Sequence, residues 1–198
     1  MIDLKVETST TAGKAAWEVA RRYYPGSLFN HCVRSYLFAR DHASRNDLDP
    51  DPEVLFVAAM LHDLALTDVF DSVTTPFEET GGHLAWVFAA ASGWPAERRN
   101  RIADVIEHHM WDSVPVEVDV EGFLLEIATS LDISGRNVER WPVDFTAQVL
   151  AANPRLDLGD TFADCFDAQA QRKPQSRAAQ AARNGIRTRQ RSNPLNEL

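Results

Sequence analysis

Apolar residues recur at spacings of three and four along most of the chain, as they do in helices that bury one face. This spacing predicts five helices with pronounced apolar faces, over 28–45, 52–65, 80–91, 96–110 and 122–135, and three with fainter patterns, over 12–24, 142–152 and 158–171. Only 114–120 alternates as a strand would, and Pro115 with its acidic neighbours favours a loop there. Gly93 and Gly135 follow apolar runs, a position at which glycine commonly ends a helix. The sequence therefore predicts an all-α fold.

The composition narrows the class of protein. The 198 residues, 44% apolar and 25% charged, suit one globular domain. No stretch reaches the roughly 18 apolar residues of a membrane span, and the charged stretch 1–7 lacks the apolar centre of a signal peptide. Cys32 and Cys165 form neither a disulfide framework nor a CxxC metal pair. We therefore expect a cytoplasmic protein with no membrane partner.

The charge is divided unevenly along the chain. Residues 172–198 hold seven basic residues and one acid, whereas 1–171 hold 13 basic and 28 acidic residues, and the whole chain has a net charge of −9. We expect a helical domain over 1–172 and a basic tail over 173–198 that lies against its own surface or that of another subunit. The negative charge argues against a nucleic-acid partner, because phosphates would be repelled. Apolar helices that contain Trp86 and Trp94 are compatible with a homo-oligomer.

Four residues on apolar helices carry the candidate chemistry. His31 lies in the helix predicted over 28–45, His62 and Asp63 follow the most hydrophobic run of the chain, and Asp132 comes late in the helix predicted over 122–135. A buried carboxylate is costly unless it is paired, hydrogen-bonded or bound to a metal. One divalent cation shared by the four side chains would satisfy all of them at once. Taken singly, each could also be an ordinary core residue whose polar atoms find hydrogen bonds.

These residues also resemble a known motif. In their order, His31, then His62-Asp63, then Asp132, they resemble the His…His-Asp…Asp pattern of the HD-domain superfamily of metal-dependent enzymes. Further segments together resemble the narrower cyanamide hydratase-like family: NHCVRSY at 30–36, LHDLALTDVF at 61–70, PFEETGG at 76–82, IEHH at 106–109, LEIATSLDISG at 125–135 and NPRLDLGDTFADCF at 153–166.

The resemblance implies an HD-domain helical bundle with a metal site between core helices. It implies one divalent ion, Zn²⁺ in the first place and Fe or Mn otherwise, held by His31, His62, Asp63 and Asp132. Such an ion lowers the pKa of a bound water to about 7, so that water can add to the C≡N group of a small nitrile such as cyanamide and give urea. It further implies catalytic roles for His108 and Asp63 and a candidate role for Glu78, with a small-molecule substrate and no organic cofactor.

Other assignments stay open. His83, where relatives carry an aliphatic residue, could hold a second metal together with His108. Two metals would instead favour an HD phosphohydrolase acting on a nucleotide or other phosphomonoester, or an HD oxygenase. A phosphate-binding site usually contains several arginine or lysine side chains that converge on the phosphate. Only Arg34 and Arg136 lie near the motifs, so the sequence shows no such cluster. A third alternative is a non-enzymatic helical scaffold whose metal is structural or absent.

The pair His108-His109 and the walls of the pocket are further expectations. Helical periodicity places His109 on the apolar face of its helix, whereas the resemblance favours His108 as the residue that faces substrate. We follow the resemblance. The loops 66–79 and 110–120 are expected to wall the pocket with their large apolar residues, namely Phe70, Phe77, Met110 and Trp111.

Overall fold

The fold is described by a computed structural model that covers residues 4, 6 and 8–198; most of the stretch 1–7 lies outside the described residues. The described residues form ten α-helices and no strand, so the predicted all-α class is confirmed. The helices are α1 (Thr11–Tyr23), α2 (Gly26–Arg45), α3 (Pro52–Leu61), α4 (Phe77–Ala91), α5 (Ala96–His108), α6 (Val120–Ser134), α7 (Val143–Ala152), α8 (Leu158–Arg172), α9 (Arg177–Arg183) and α10 (Ile186–Arg191). Short 3-10 helices cover Leu64–Leu66, Val138–Arg140 and Pro194–Glu197. None of the described helices is long and apolar enough to cross a bilayer.

Helix α3 is the centre of the bundle. Every residue from Val54 to Leu61 is buried, which is what a helix apolar on all sides requires. Asp51 caps its N-terminus by accepting from the backbone N–H groups of Glu53 and Val54, and Pro52 occupies the first turn. Helices α1, α2, α4, α5 and α6 all pack against α3. The C-terminal end of α3 therefore lies in the core.

Helix α3 ends earlier than the sequence predicts. The prediction of a helix to residue 65 was wrong, because α3 stops at Leu61 and a 3-10 helix starts at Leu64. Asp63 has φ −98° and ψ 7°, which are not α-helical values. Consecutive side chains on an α-helix point about 100° apart. The break lets His62 and Asp63 turn their polar atoms toward one point.

Helix α4 starts at Phe77, three residues before the predicted start, so that Glu78 and Glu79 lie in its first turn. It passes very close to the end of α3. A Cβ atom at Gly81 would lie 3.1 Å from the carbonyl oxygen of His62 and 3.2 Å from a methyl carbon of Ile106. Gly81 therefore lets α4 and α5 approach the backbone of the His62-Asp63 pair.

Helix α6 has well-defined ends. Asp119 caps it by accepting from the N–H of Gly122 at 2.5 Å, and Gly135, with φ 71°, ends it in the left-handed conformation. The sequence predicted this glycine stop, and the structure confirms it. Helix α6 packs against α2 and α5, which brings Asp132 next to His31.

The segment 173–198, which the sequence predicts to be a basic tail, folds onto the body of the chain. Helices α9 and α10 pack on α8, and α10 also contacts α6. Four of its apolar residues are buried: Ala178, Ala179, Ile186 and Leu195. The side chain of Asn193 donates to the carbonyl oxygen of Asp132 at 3.0 Å. The segment thus contributes to the same core as α6.

Candidate metal centre

His31 from α2 and the pair His62-Asp63 after α3 form one buried polar group. The Nε2 atoms of His31 and His62 are 3.2 Å apart, and Oδ2 of Asp63 lies 3.5 Å and 3.2 Å from them. All three side chains are at most 1% exposed. Among the described residues, this is the only group of three or more His, Cys, Asp and Glu side chains whose ligand atoms converge within 4.8 Å.

The hydrogen bonds on the far side of each imidazole fix which nitrogen faces the group. His31 donates from Nδ1 to Oδ2 of Asp132 at 2.6 Å, and His62 donates from Nδ1 to the carbonyl oxygen of Ala59 at 2.9 Å. A carbonyl oxygen can only accept, so the proton is on Nδ1 and the lone pair of a neutral ring is on Nε2. Two lone pairs facing each other at 3.2 Å repel unless a cation lies between them.

The carboxylate of Asp63 is the second sign that a cation belongs here. Both of its oxygens are buried without a hydrogen-bond partner, which is costly for an ionised group. Burial alone would raise the pKa of Asp63, but His62 outweighs burial and lowers it below its usual value. Conversely, burial alone would lower the pKa of His62, and the charge of Asp63 raises it well above the usual value. The group thus requires one positive charge, which a divalent metal ion would supply.

Asp132, the predicted fourth ligand, lies behind His31 and not in this group. Its Oδ2 accepts from Nδ1 of His31 and, at 2.8 Å, from Nη2 of Arg34. Its Oδ1 accepts from Nε of Arg34 and from Nη1 of Arg155, both at 2.9 Å. Burial alone would raise the pKa of Asp132, but the Arg34 charge and the His31 hydrogen bond keep it far below the usual value. Each of its oxygens therefore already accepts two hydrogen bonds, one of which fixes the ring of His31, and the role of Asp132 as a metal ligand stays a prediction.

The pair His108-His109 is also placed differently from the prediction. His109 is 5% exposed, its Nε2 lies 3.9 Å from Oδ1 of Asp63, and its Nδ1 donates to the carbonyl oxygen of Ile106. Its ring lies at 5.0 Å from that of His62. His108 points away, donates to Oδ2 of Asp119 at 2.5 Å, and does not line the cavity next to Asp63. The periodicity argument, which places His109 on the buried face of its helix, is confirmed, and a catalytic role for His108 stays a prediction.

Two other predicted residues lie outside the centre. His83 is exposed on α4, and neither it nor His108 belongs to a metal-binding group in the described part of the chain. Glu78 is 5% exposed, but it does not line the cavity; burial raises its pKa, and the charges of Arg177 and Lys173 oppose this rise. In the first turn of α4, the residue before it, Phe77, places its ring 5.8 Å from that of His109.

A cavity of about 510 Å³ opens from the metal centre to solvent. The predicted wall residues Met110 and Trp111 line it, but Phe70 and Phe77 do not. Sequence reasoning missed most of the remaining lining: Thr129, Ser130, Ile133 and Ser134 of α6, Phe162 and Phe166 of α8, and Ala181, Ile186 and Arg189 of the C-terminal segment. The spacing of 129, 130, 133 and 134 on α6 was the available signal, since it places three hydroxyl groups on one face of an apolar helix.

Comparison with known proteins agrees with this centre. A model of the HD domain family matches residues 28–133, a range that begins just before His31 and ends just after Asp132. The chain belongs to the HD-domain family, whose members bind divalent metal ions.

Two relatives place the chain more specifically within the HD-domain family. Cyanamide hydratase DDI2 and cyanamide hydratase DDI3 of Saccharomyces cerevisiae are each 31% identical to the chain over 164 residues, which cover 79% of this chain and 72% of theirs. Within the HD-domain family the chain is a cyanamide hydratase-like protein, and these relatives indicate an enzyme with hydratase activity.

Proposed function

We propose that the chain is a metal-dependent hydratase that adds water to the C≡N group of a small nitrile such as cyanamide. The reaction H₂N–C≡N + H₂O gives urea: the water oxygen bonds to the nitrile carbon, and both water protons end on the nitrile nitrogen. The observation that carries the proposal is the unpartnered carboxylate of Asp63 beside two inward-facing Nε2 atoms, at the base of an open cavity. The names of the two yeast relatives support the substrate class.

His31, His62 and Asp63 would hold the ion, which we propose to be Zn²⁺. Imidazole nitrogen and carboxylate oxygen suit this ion, and also Fe and Mn. When bound, it supplies Lewis acidity that makes water nucleophilic near neutral pH and polarises a nitrile nitrogen. Three protein ligands leave room for small molecules, as expected of a catalytic rather than a structural site.

The remaining residues orient the reactants. Burial lowers the pKa of His109 to about 3, so the ring is neutral at physiological pH and is a weak base. Its Nδ1 donates to the carbonyl oxygen of Ile106, so its Nε2, which lies 3.9 Å from Oδ1 of Asp63, can accept a hydrogen bond from water and orient it. Thr129 and Ser130 also line the cavity, and their hydroxyl groups donate to the carbonyl oxygen and the carboxylate of Glu126, so they can accept hydrogen bonds from the substrate. Asp132 acts through His31 and is a positioning residue.

The test is urea release from cyanamide by the purified protein after loading with each of Zn²⁺, Fe²⁺ and Mn²⁺. We expect urea with at least one ion and none after His62→Ala. Ser44→Ala is a matched control, since Ser44 lies on α2 away from the cavity around His31. If fully loaded protein released no urea, the substrate assignment would be wrong. Strong hydrolysis of phosphomonoesters in the same preparation would favour the phosphohydrolase alternative.

A further inference from the structure

The cavity is much larger than cyanamide. Cyanamide has three non-hydrogen atoms, whereas a cavity of about 510 Å³ lies in the range that ordinary ligands of ten or more such atoms occupy. The lining extends from the metal centre along one face of α6, from Thr129 to Ser134, and continues to Arg136 beyond the end of this helix. Thr129 and Ser134 alone are about 7.5 Å apart by the helical rise of 1.5 Å per residue. A substrate that fills the cavity would therefore reach well beyond the reacting C≡N group.

Two arginines line the cavity beside the metal centre. Arg136 and Arg189 line it together with one acid outside that centre, Asp112, although the chain as a whole is acidic. Arg136 follows the end of α6 and is held there by an ion pair with the buried carboxylate of Glu126. Arg189, on α10, donates to the carbonyl oxygen of Asn184 and has no carboxylate partner within ion-pair distance among the described residues.

Positive charges surround Arg136. Burial lowers the pKa of Arg136, the charges of Arg140 and Arg189 lower it further, and the nearby Asp112 opposes them. Arg136 thus has carboxylate neighbours, whereas Arg189 has none within ion-pair distance among the described residues. An arginine without a carboxylate partner suits an anionic ligand, because its guanidinium group can donate two parallel hydrogen bonds to a carboxylate.

We propose that the preferred substrate is a substituted cyanamide that carries a carboxylate, with its C≡N group at His31, His62 and Asp63 and its carboxylate at Arg136 and Arg189. This inference rests on the proposed hydratase function and adds the substrate class. The inference also gives the C-terminal segment a role. The match to the HD domain family ends at residue 133, and three residues beyond it line the cavity: Ala181, Ile186 and Arg189. Hydration of such a substrate needs only water and gives the corresponding N-substituted urea.

The test compares N-cyano-β-alanine with its neutral amide and with cyanamide, by kcat/KM of the metal-loaded protein. We expect the acid to be preferred over the amide by about tenfold or more, since hydrogen bonds to a charged group are among the stronger ones. Arg189→Gln should abolish this preference through KM, and Arg189→Lys should retain part of it. Arg183→Gln is the matched control, because Arg183 lies in the same segment but does not line the cavity.

Arg136→Gln should also reduce the preference for the acid over the amide. Because this substitution leaves the buried Glu126 unpaired and can destabilise the fold, the Arg189 variants are the decisive ones. Equal kcat/KM values for the acid and the amide in the unmodified protein would overturn the inference. Calorimetric measurement of N-cyano-β-alanine binding distinguishes a failure of this inference from a failure of the proposed hydratase function. Binding that Arg189→Gln weakens, without any hydration, would keep the anion site and reject the hydratase; no binding would reject the anion site.

Discussion

His31 donates from Nδ1 to Oδ2 of Asp132 across 2.6 Å, and this bond turns Nε2 of the same ring toward His62 and Asp63. Arg34 and Arg155 hold Asp132 in place with three further hydrogen bonds from their guanidinium groups. The orientation of His31 therefore depends on a buried ionic network centred on Asp132. Whether Asp132 orients His31 or binds the metal itself can be tested directly.

Asp132→Asn should weaken the binding of Zn²⁺ by about 10- to 100-fold without changing its stoichiometry. The amide oxygen can still accept from His31, but it no longer fixes and polarises the ring as a carboxylate does. The variant should also unfold more easily, because Arg34 would be buried with its charge uncompensated. Competition with a chromophoric chelator measures the affinity. If Asp132→Asn lost the metal as completely as Asp63→Asn does, Asp132 would be a direct ligand.

Removal of the metal should destabilise the unmodified protein but not the Asp63→Asn variant. A ligand present at 100 times its Kd stabilises the folded state by about 2.7 kcal/mol, so a strong chelator should lower the Tm measurably. Asp63 has no hydrogen-bond partner among the described residues, so replacing its carboxylate removes the ligand with little loss of protein contacts. Differential scanning calorimetry with and without chelator checks this. An equal drop of Tm in both proteins would contradict the assignment of Asp63.

His109→Ala should reduce activity, whereas His108→Ala should mainly reduce stability. Loss of the His109 ring, which lines the cavity, should reduce cyanamide hydration about 100-fold or more, because the attacking water would be less well oriented. His108→Ala should leave most of the activity and reduce the free energy of unfolding by about 1–3 kcal/mol, since it removes a hydrogen bond to the Asp119 carboxylate. Steady-state kinetics and urea denaturation of both variants measure the two effects. Greater loss of activity in His108→Ala would restore the original prediction.

Asp119 should make the fold sensitive to acid. Burial alone would raise the pKa of Asp119, but hydrogen bonds from Arg101 and from the backbone of Gly122 lower it below its usual value. A carboxyl group with a lowered pKa in the folded state stabilises it above the unfolded pKa of about 3.9, and this contribution is lost as the pH falls through the folded value. The free energy of unfolding should therefore fall below about pH 4. Asp119→Asn should show a smaller fall, measured by denaturant titration between pH 2 and pH 6.

Most of the helices could be predicted from sequence because their apolar faces are local features. The predicted bounds agree with the structure to within two residues, except at the end of α3 and the start of α4. Both exceptions border the metal centre, where His62 and Asp63 leave the helical path and Gly81 admits a close neighbour. Local helix propensity cannot predict such contacts, because they join residues that are distant in the chain.

The candidate site was predicted in part. The sequence motif identified His31, His62 and Asp63, and the structure brings these three together. It could not show that Asp132 is occupied by Arg34 and Arg155, because this depends on how α6, α2 and the segment after α7 pack.

The sequence by itself determined the all-α class, the glycine stop at Gly135 and the motif residues, since each is encoded in the spacing or identity of near neighbours. Only the tertiary structure decided that Asp132 contacts His31 and Arg34, that His109 lines the cavity and His108 does not, and that Arg189 lines it too. The physical reason is that a side chain's partners are set by the relative rotation and separation of packed helices. Those quantities arise from the whole core at once and are not contained in any single segment.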